Sequence, residues 1–323
     1  MLKIGIVGIG GMGIVHYMNY KHIDDVEVVA FVATSRESRK KAQSFGLPMY
    51  ESIEAMCEAE DIDVVDICSP TFLHEKHVRT ALNLSKNVIC EKPLTLTSKE
   101  AKNLFELARK KQRHLYVAFV VQFTKQTEIL REIVKDQRFG KPLDAIFERL
   151  SAKPNWGSGS WMFDKSKAGL IPYDLHIHDL DMIVSLFGKP NNIVVQETQG
   201  ILDFPEHYRF LYEYDGLNVV GEAAWFNAQI PFTARWRVYF EKGYLVNDGI
   251  TLIAYPDEGE PIEYDVTEKH KIETGINVPP TEMYLNELEH FIGCIKKDID
   301  SPIVTESQIV ETLKILESIS DLS

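Results

Sequence analysis

The sequence predicts an α/β protein in two parts, an N-terminal doubly wound parallel sheet and a C-terminal α+β domain on a large, mostly antiparallel sheet. Three observations predict it. Val- and Ile-rich runs alternate with helical patterns as far as about residue 121. A glycine-rich turn separates the first run from the first helical stretch. Beyond residue 122 the strand-like runs are joined by tight-turn dipeptides instead of helices. The first pattern is that of parallel strands with helices on both faces, and the last is that of antiparallel pairing.

Taken in order, residues 2–7 read as a strand, and Ile14, Val15, Met18 and Ile23 give the next stretch an apolar helical face. The same reading predicts strand 26–33, helices 36–45 and 51–59, strand 62–68, helix 72–84, strand 87–90, helix 98–112 and strand 115–121. One more helix, 125–136, stops near Gly140 and Pro142, and a helical segment over 177–187 is closed by Gly188 and Pro190. From 191 to about 265, runs such as Ile193–Val195, Tyr208–Tyr214, Asn218–Phe226 and Arg235–Phe240 are separated by Asp215-Gly216, Pro231 and Lys242-Gly243. Helices over about 281–297 and 306–320 finish the chain. The division expected is 1–122 and 123–323, with the C-terminal helix able to pack back on the first domain.

The 323 residues carry 35 Lys+Arg against 48 Asp+Glu, a formal charge of −13. An acid excess of that size argues against a nucleic-acid footprint, which is normally basic over at least one domain. No run approaches the roughly 18 apolar residues of a membrane span. Cys57, Cys68, Cys90 and Cys294 show no C-x-x-C spacing, which fits reduced thiols in a cytoplasmic protein.

Gly8-Ile9-Gly10-Gly11-Met12-Gly13 matches G-x-G-x-x-G between a strand and a helix. In that context the glycines allow a tight turn, close approach of backbone to a pyrophosphate and close helix packing, and the helix N-terminus attracts the phosphates. A dinucleotide is therefore expected. An acid at the end of the second strand would select NAD, but the sequence there is Ala33-Thr34-Ser35-Arg36. Hydroxyls from Thr34 and Ser35 and the charge of Arg36 suit a 2′-phosphate, so NADP is preferred and NAD is the alternative.

Ligands of open parallel sheets sit at the carboxyl ends of the strands. That places Ser69-Pro70-Thr71, His74 and Glu91-Lys92-Pro93 around the cofactor, with Lys92 beside the nicotinamide. Further on, Asp174-Leu175-His176-Ile177-His178-Asp179-Leu180-Asp181 puts Asp174, His178 and Asp181 on one face if the stretch is helical, and turns His176 and Asp179 elsewhere.

The glycine motif, Glu91-Lys92-Pro93 and Asp174-x-x-x-His178 with Asp179-x-Asp181, in this order over most of the chain, resemble the Gfo/Idh/MocA oxidoreductases. The resemblance implies a Rossmann domain, a C-terminal domain whose open sheet makes a homodimer or homotetramer, and Lys92, Asp174 and His178 as the catalytic group. It also implies a sugar, polyol or related carbonyl substrate. Two departures bear on which substrate. The stretch Lys167–Tyr173 stands where relatives carry consecutive glycines, and His176 stands where glycine is common; Tyr173 and His176 are therefore expected on the substrate side. Gln122, past the last strand, is expected to face the site, and Trp156 and Trp161 to be either core anchors or, by preference, a sugar-stacking lid.

Chemically, hydride transfer at a carbinol carbon requires a proton to leave or reach the oxygen. A partly desolvated lysine near a cationic ring is expected to titrate low, and a histidine oriented by a carboxylate can exchange the proton. His178 is the favoured proton-exchanging group and Lys92 the partner of the reacting oxygen. Two other readings stay open. One is a nucleotide sensor without catalysis; the other is a metal-dependent hydrolase using His176 and His178 with Asp179 or Asp181, which needs a strand there and further His or Cys ligands.

Overall fold

The computed structural model describes residues 1–154, 161–273 and 279–322. The chain forms two compact units, Met1–Thr124 with Glu268–Val310, and Lys125–Thr267 with Glu311–Ser323.

In the first unit β1 (Leu2–Val7), α1 (Gly11–Tyr20), β2 (Val26–Val32), α2 (Arg36–Gln43), β3 (Met49–Tyr50), α3 (Ile53–Ala59) and β4 (Val64–Ile67) follow one another. A 3-10 turn (Thr71–Leu73), α4 (His74–Asn83), β5 (Asn87–Glu91), α5 (Ser98–Lys111) and β6 (Leu115–Ala118) complete the alternation. The sheet order is β3-β2-β1-β4-β5-β6 and every pair is parallel. The order reverses direction at β1, which opens a crevice at the carboxyl ends of β1 and β4. Helix starts follow from local chemistry. Thr97 accepts the Glu100 N–H at 3.2 Å and donates to its carboxylate at 2.9 Å, and Ser52 caps α3 through Ala55 N–H.

The strand expected over 115–121 ends at Ala118, because Phe119 leaves the extended region and Val120–Phe123 closes into a 3-10 turn. The two-residue β3 is too short to leave a pattern in the sequence.

The second unit holds α6 (Lys125–Lys135), β7 (Pro142–Ala152), a 3-10 turn (Trp161–Phe163), α7 (Lys165–Ala168), a π turn (Pro172–His176) and α8 (Ile177–Phe187). Seven strands follow, β8 (Asn192–Gln199), β9 (Pro205–Tyr214), β10 (Leu217–Phe226), β11 (Thr233–Phe240), β12 (Gly243–Asn247), β13 (Leu252–Pro256) and β14 (Ile262–Tyr264). The sheet runs β14-β13-β12-β11-β7-β10-β9-β8, antiparallel throughout except for the parallel pair β7–β10. Its covered face is apolar, with Phe147, Phe210, Tyr212, Trp225, Val238 and Phe240 buried.

The central strand β7 is absent from the sequence-based expectation. Its buried face runs Ala145, Phe147, Arg149, and the arginine breaks the apolar alternation that marks a strand. That arginine is neutralised by α8. Its Nε and Nη2 donate to the two carboxylate oxygens of Asp179 at 2.9 and 2.7 Å, both side chains being buried. The chain then returns to the first unit, where α9 (Met283–Lys297) packs on α1; Val15, Val120 and Tyr284 form the contact. The final helix is α10 (Glu306–Leu322).

Candidate active site

In the first unit β1 delivers Gly8 at φ +93°, and a Cβ there would lie 2.9 Å from the Cys68 carbonyl oxygen and Ser69 Cα. A side chain at Gly13 would collide with the Gly8 carbonyl, so α1 rests directly on the turn. Gly10, the residue preceding α1, is the opposite case: a Cβ there meets no atom within 4 Å. The tight turn and the close packing consume two glycines, and the third leaves open space over the N–H groups of Gly11, Met12 and Gly13. This cradle fits a pyrophosphate in a way that no side chain at Gly8 or Gly13 would allow.

Beyond β2 the chain turns outward. Thr34, Ser35 and Arg36 are exposed, and Thr34, Arg36, Arg39, Lys40 and Gln43 line one concave surface. Arg39 is paired with Glu51 at 2.7 Å. Ser35 has a local duty that the sequence reading did not assign: its Oγ accepts the Ser38 N–H at 3.0 Å and caps α2.

At the carboxyl end of β4 the Ser69 hydroxyl lies 2.9 Å from His77 Nδ1, and the 3-10 turn carries Pro70 and Thr71 into α4. His74 is buried between two carbonyls, with Nδ1 2.8 Å from Pro93 O and Nε2 2.7 Å from Ser69 O. Burial pulls its pKa down, and the two carbonyls oppose that pull. His74 is thus a tie between the turn after β4 and the turn after β5. The latter holds Glu91, half-buried Lys92 and Pro93, joined by a cis Lys92–Pro93 bond. Gln122 lies past β6 in the 3-10 turn and is buried.

In the second unit the stretch expected to be a plain helix opens with the π turn, whose i→i+5 bonding adds a residue per turn. Between residues 171 and 184 all side chains are buried except Asp174 and His178, which are half-buried. A spacing of four across a π turn keeps these two on one accessible face. Asp181, expected to share it, is fully buried.

His176 was expected to line the substrate side and is instead a core side chain. It is 0% exposed, stacks on Phe210 with ring centroids 4.0 Å apart, sits under Gly221, and its Nε2 is 2.7 Å from the Tyr212 hydroxyl. Burial, then the Arg149 charge, pushes its pKa down to about 3, so the ring is neutral. Tyr173 is buried against Gly169. Trp161 is half-buried at the start of its 3-10 turn, and Trp156 lies outside the described residues. A helix occupies the place where the metal-hydrolase reading needs a strand, and its candidate ligand Asp179 is held by Arg149.

One group escaped the sequence reading. His16 of α1, Asp66 of β4 and Glu91 of β5 meet in the interior of the first unit. The available signal was Asp66 itself, an acid inside the buried run Val64–Ile67, which requires a partner.

A parallel sheet of this order, with a glycine cradle at its first turn and a lysine turn at its carboxyl edge, defines a nucleotide-binding Rossmann unit. Residues 2–119 match the family model for oxidoreductases with an NAD-binding Rossmann fold, and residues 127–246 match the GFO/IDH/MocA C-terminal domain. The chain belongs to the Gfo/Idh/MocA oxidoreductase family. It is 33% identical to an uncharacterized oxidoreductase of Schizosaccharomyces pombe over 170 residues, 51% of this chain and 44% of that protein. With the inositol 2-dehydrogenase of Rhizobium meliloti it shares 25% identity over 256 residues, 76% of this chain and 74% of that one. The first of these relatives is therefore matched over less than half its length. In fold, a levoglucosan dehydrogenase solved with NADH and levoglucosan superimposes at a TM-score of 0.85, with 21% identity over 99% of this chain and 96% of that chain.

Proposed function

We propose that this chain is a dehydrogenase or reductase that uses NADP in preference to NAD and acts on a sugar, polyol or related carbonyl compound. The observation that carries the reading is the pairing, within one unit, of the Gly8–Gly13 cradle with the Lys92 turn at the carboxyl ends of the same sheet. The dinucleotide, when bound, supplies or accepts the hydride. The Gly11–Gly13 N–H groups hold its phosphates, and Thr34 and Arg36 recognise the 2′-phosphate. Lys92 donates a hydrogen bond and positive charge to the reacting oxygen. His178 exchanges the proton and Asp174 orients it. Substrate classes named for relatives, such as inositol, support the polyol assignment.

The test is a side-by-side titration of NADP and NAD, followed by absorbance at 340 nm against a panel of sugars and polyols. NADP is expected to bind about 10–100-fold more tightly, the range of one charged hydrogen bond, and Arg36→Ala to remove most of that margin. Tighter NAD binding overturns the cofactor preference. A bound nucleotide with no turnover on any panel member, and no substrate-dependent product, favours the sensor reading.

Self-association through the second sheet is part of the same proposal. In register across its open face stand Val194, Leu211, Val220, Ile146, Arg237, Val246, Ile253 and, on the edge strand, Glu263, an apolar row with two charges, one of them at its end. Rows of this kind on a sheet face are characteristic of subunit contacts. Val220→Asp, near the middle of the row, is expected to halve the mass seen by light scattering while leaving the folded signal intact. An unchanged mass sinks this interface.

A further inference from the structure

We propose that His16 is a positioning residue that sets the Lys92 turn from the helix carrying the nucleotide cradle. His16 lies one helical turn beyond Gly13 in α1 and is fully buried. Its Nδ1 is 2.8 Å from Asp66 Oδ2, and its Nε2 is 3.2 Å from Glu91 Oε1. The other Glu91 oxygen accepts the backbone N–H of Lys92 at 3.2 Å. Four groups thus form a line, Asp66 to His16 to Glu91 to Lys92 N–H, running from β4 through α1 into the turn. On the far side of Lys92, the Pro93 carbonyl is held by His74. Lys92 is bracketed by two histidines that belong to different helices.

The chemistry of the line assigns its charges. Nδ1 of His16 is hydrogen-bonded to Asp66, and Nε2 faces Glu91 Oε1 at ion-pair distance without the alignment of a hydrogen bond; two carboxylates against one ring favour the imidazolium. Burial alone would pull the imidazole down, but Asp66 and then Cys68 outweigh it and hold the ring well above its ordinary value. Burial, then the Glu91 charge, pushes Glu287 of α9 well above the carboxylate range, and burial, then Asp66, raises Cys68 and Tyr20 in the same direction.

A stability role is a poor explanation of this arrangement. The sheet hydrogen bonds and the apolar core already join α1, β4 and β5, and an apolar set of equal volume commonly serves a fold as well as a buried ion pair or better. What the charges add is direction, because a carboxylate drawn towards the His16 ring through one oxygen presents the other to Lys92 N–H. The same α1 therefore sets two positions, that of the phosphates through Gly13 and that of the lysine through His16.

The inference rests on Lys92 being a catalytic residue, so the experiment reads Lys92 both with and without turnover. His16→Gln and Glu91→Gln are made in the full chain. Reactivity of each lysine towards acetic anhydride is followed by mass spectrometry across pH 6 to 11, with Lys3 and Lys125 as controls. In both variants Lys92 is expected to change its labelling profile by about tenfold while the controls stay put, with NADP affinity unchanged in His16→Gln, and kcat to fall by up to about 10²-fold with little change in KM. A folded variant in which Lys92 labels as in the parent overturns the proposal. If His16→Gln does not fold, ¹⁵N spectra of the His16 ring in the parent chain decide: a ring protonated on both nitrogens at pH 8 supports the line, and a neutral ring there rejects it. If Lys92→Ala keeps its activity, the functional reading fails, whatever the labelling shows.

Discussion

Lys92→Ala is expected to lower kcat by about 10²–10⁴-fold, the range of a positioned acid–base or electrostatic group, with nucleotide affinity nearly unchanged. The side chain projects from the turn after β5, at the carboxyl edge of the sheet, whereas the cradle contacts come from β1 and α1. On the proposed assignment, removing the ammonium deletes an interaction with the reacting oxygen and leaves the phosphate contacts in place. Lys92→Arg keeps the charge but not the compact point donor, and should recover only a small part of the loss. His178→Ala is expected to fall in the same range, because it and Asp174 are the two accessible side chains of an otherwise buried segment. Steady-state kinetics with the best panel substrate, beside nucleotide titrations, check both. Near-normal turnover in Lys92→Ala and His178→Ala alike would falsify the assignment.

The largest expected effect on stability comes from the Arg149–Asp179 pair. Both groups are buried, and both carboxylate oxygens are engaged by one guanidinium. Asp179→Asn leaves a buried cation half satisfied, which costs about 3–5 kcal/mol by comparison with other broken buried pairs. A domain of this size should then melt about 10 °C lower or more. Arg149→Met with Asp179→Leu removes both charges and is expected to recover most of the loss, since apolar replacements of buried pairs are often neutral. Thermal and urea unfolding of the three variants measures this. A loss below about 1 kcal/mol in Asp179→Asn would show that the pair is hydrated or already offset. Asp179 neighbours His178 on α8, so the single variant should lose turnover at temperatures where it is still folded.

Much of the first unit was legible because its signals are local. A strand, a glycine turn and a helix in succession specify the cradle, and Val/Ile alternation with helical periods specifies parallel strands. The Glu91-Lys92-Pro93 turn was placed by the rule that ligands sit at strand carboxyl ends. What stayed hidden depends on partners distant in sequence. β7 was missed because Arg149 occupies an inward position, and nothing near it in the chain announces Asp179. His176 looked like a site residue because histidine in a motif is ambiguous, and only Phe210, Tyr212 and Gly221 reveal that it fills the core. The π turn is likewise not a matter of composition, and it lies between Asp174 and the helix that carries His178 and the buried Asp181.

By itself the sequence determined the fold class, the dinucleotide cradle, the lysine turn and the family, since each is written in short runs whose geometry follows from backbone preference and apolar period. The tertiary structure alone decided which polar residues are spent on the interior. His16, Asp66 and Glu91 come from three elements, and Arg149 and Asp179 from two, and a buried charge must find its counter-charge wherever the packed chain brings one within reach.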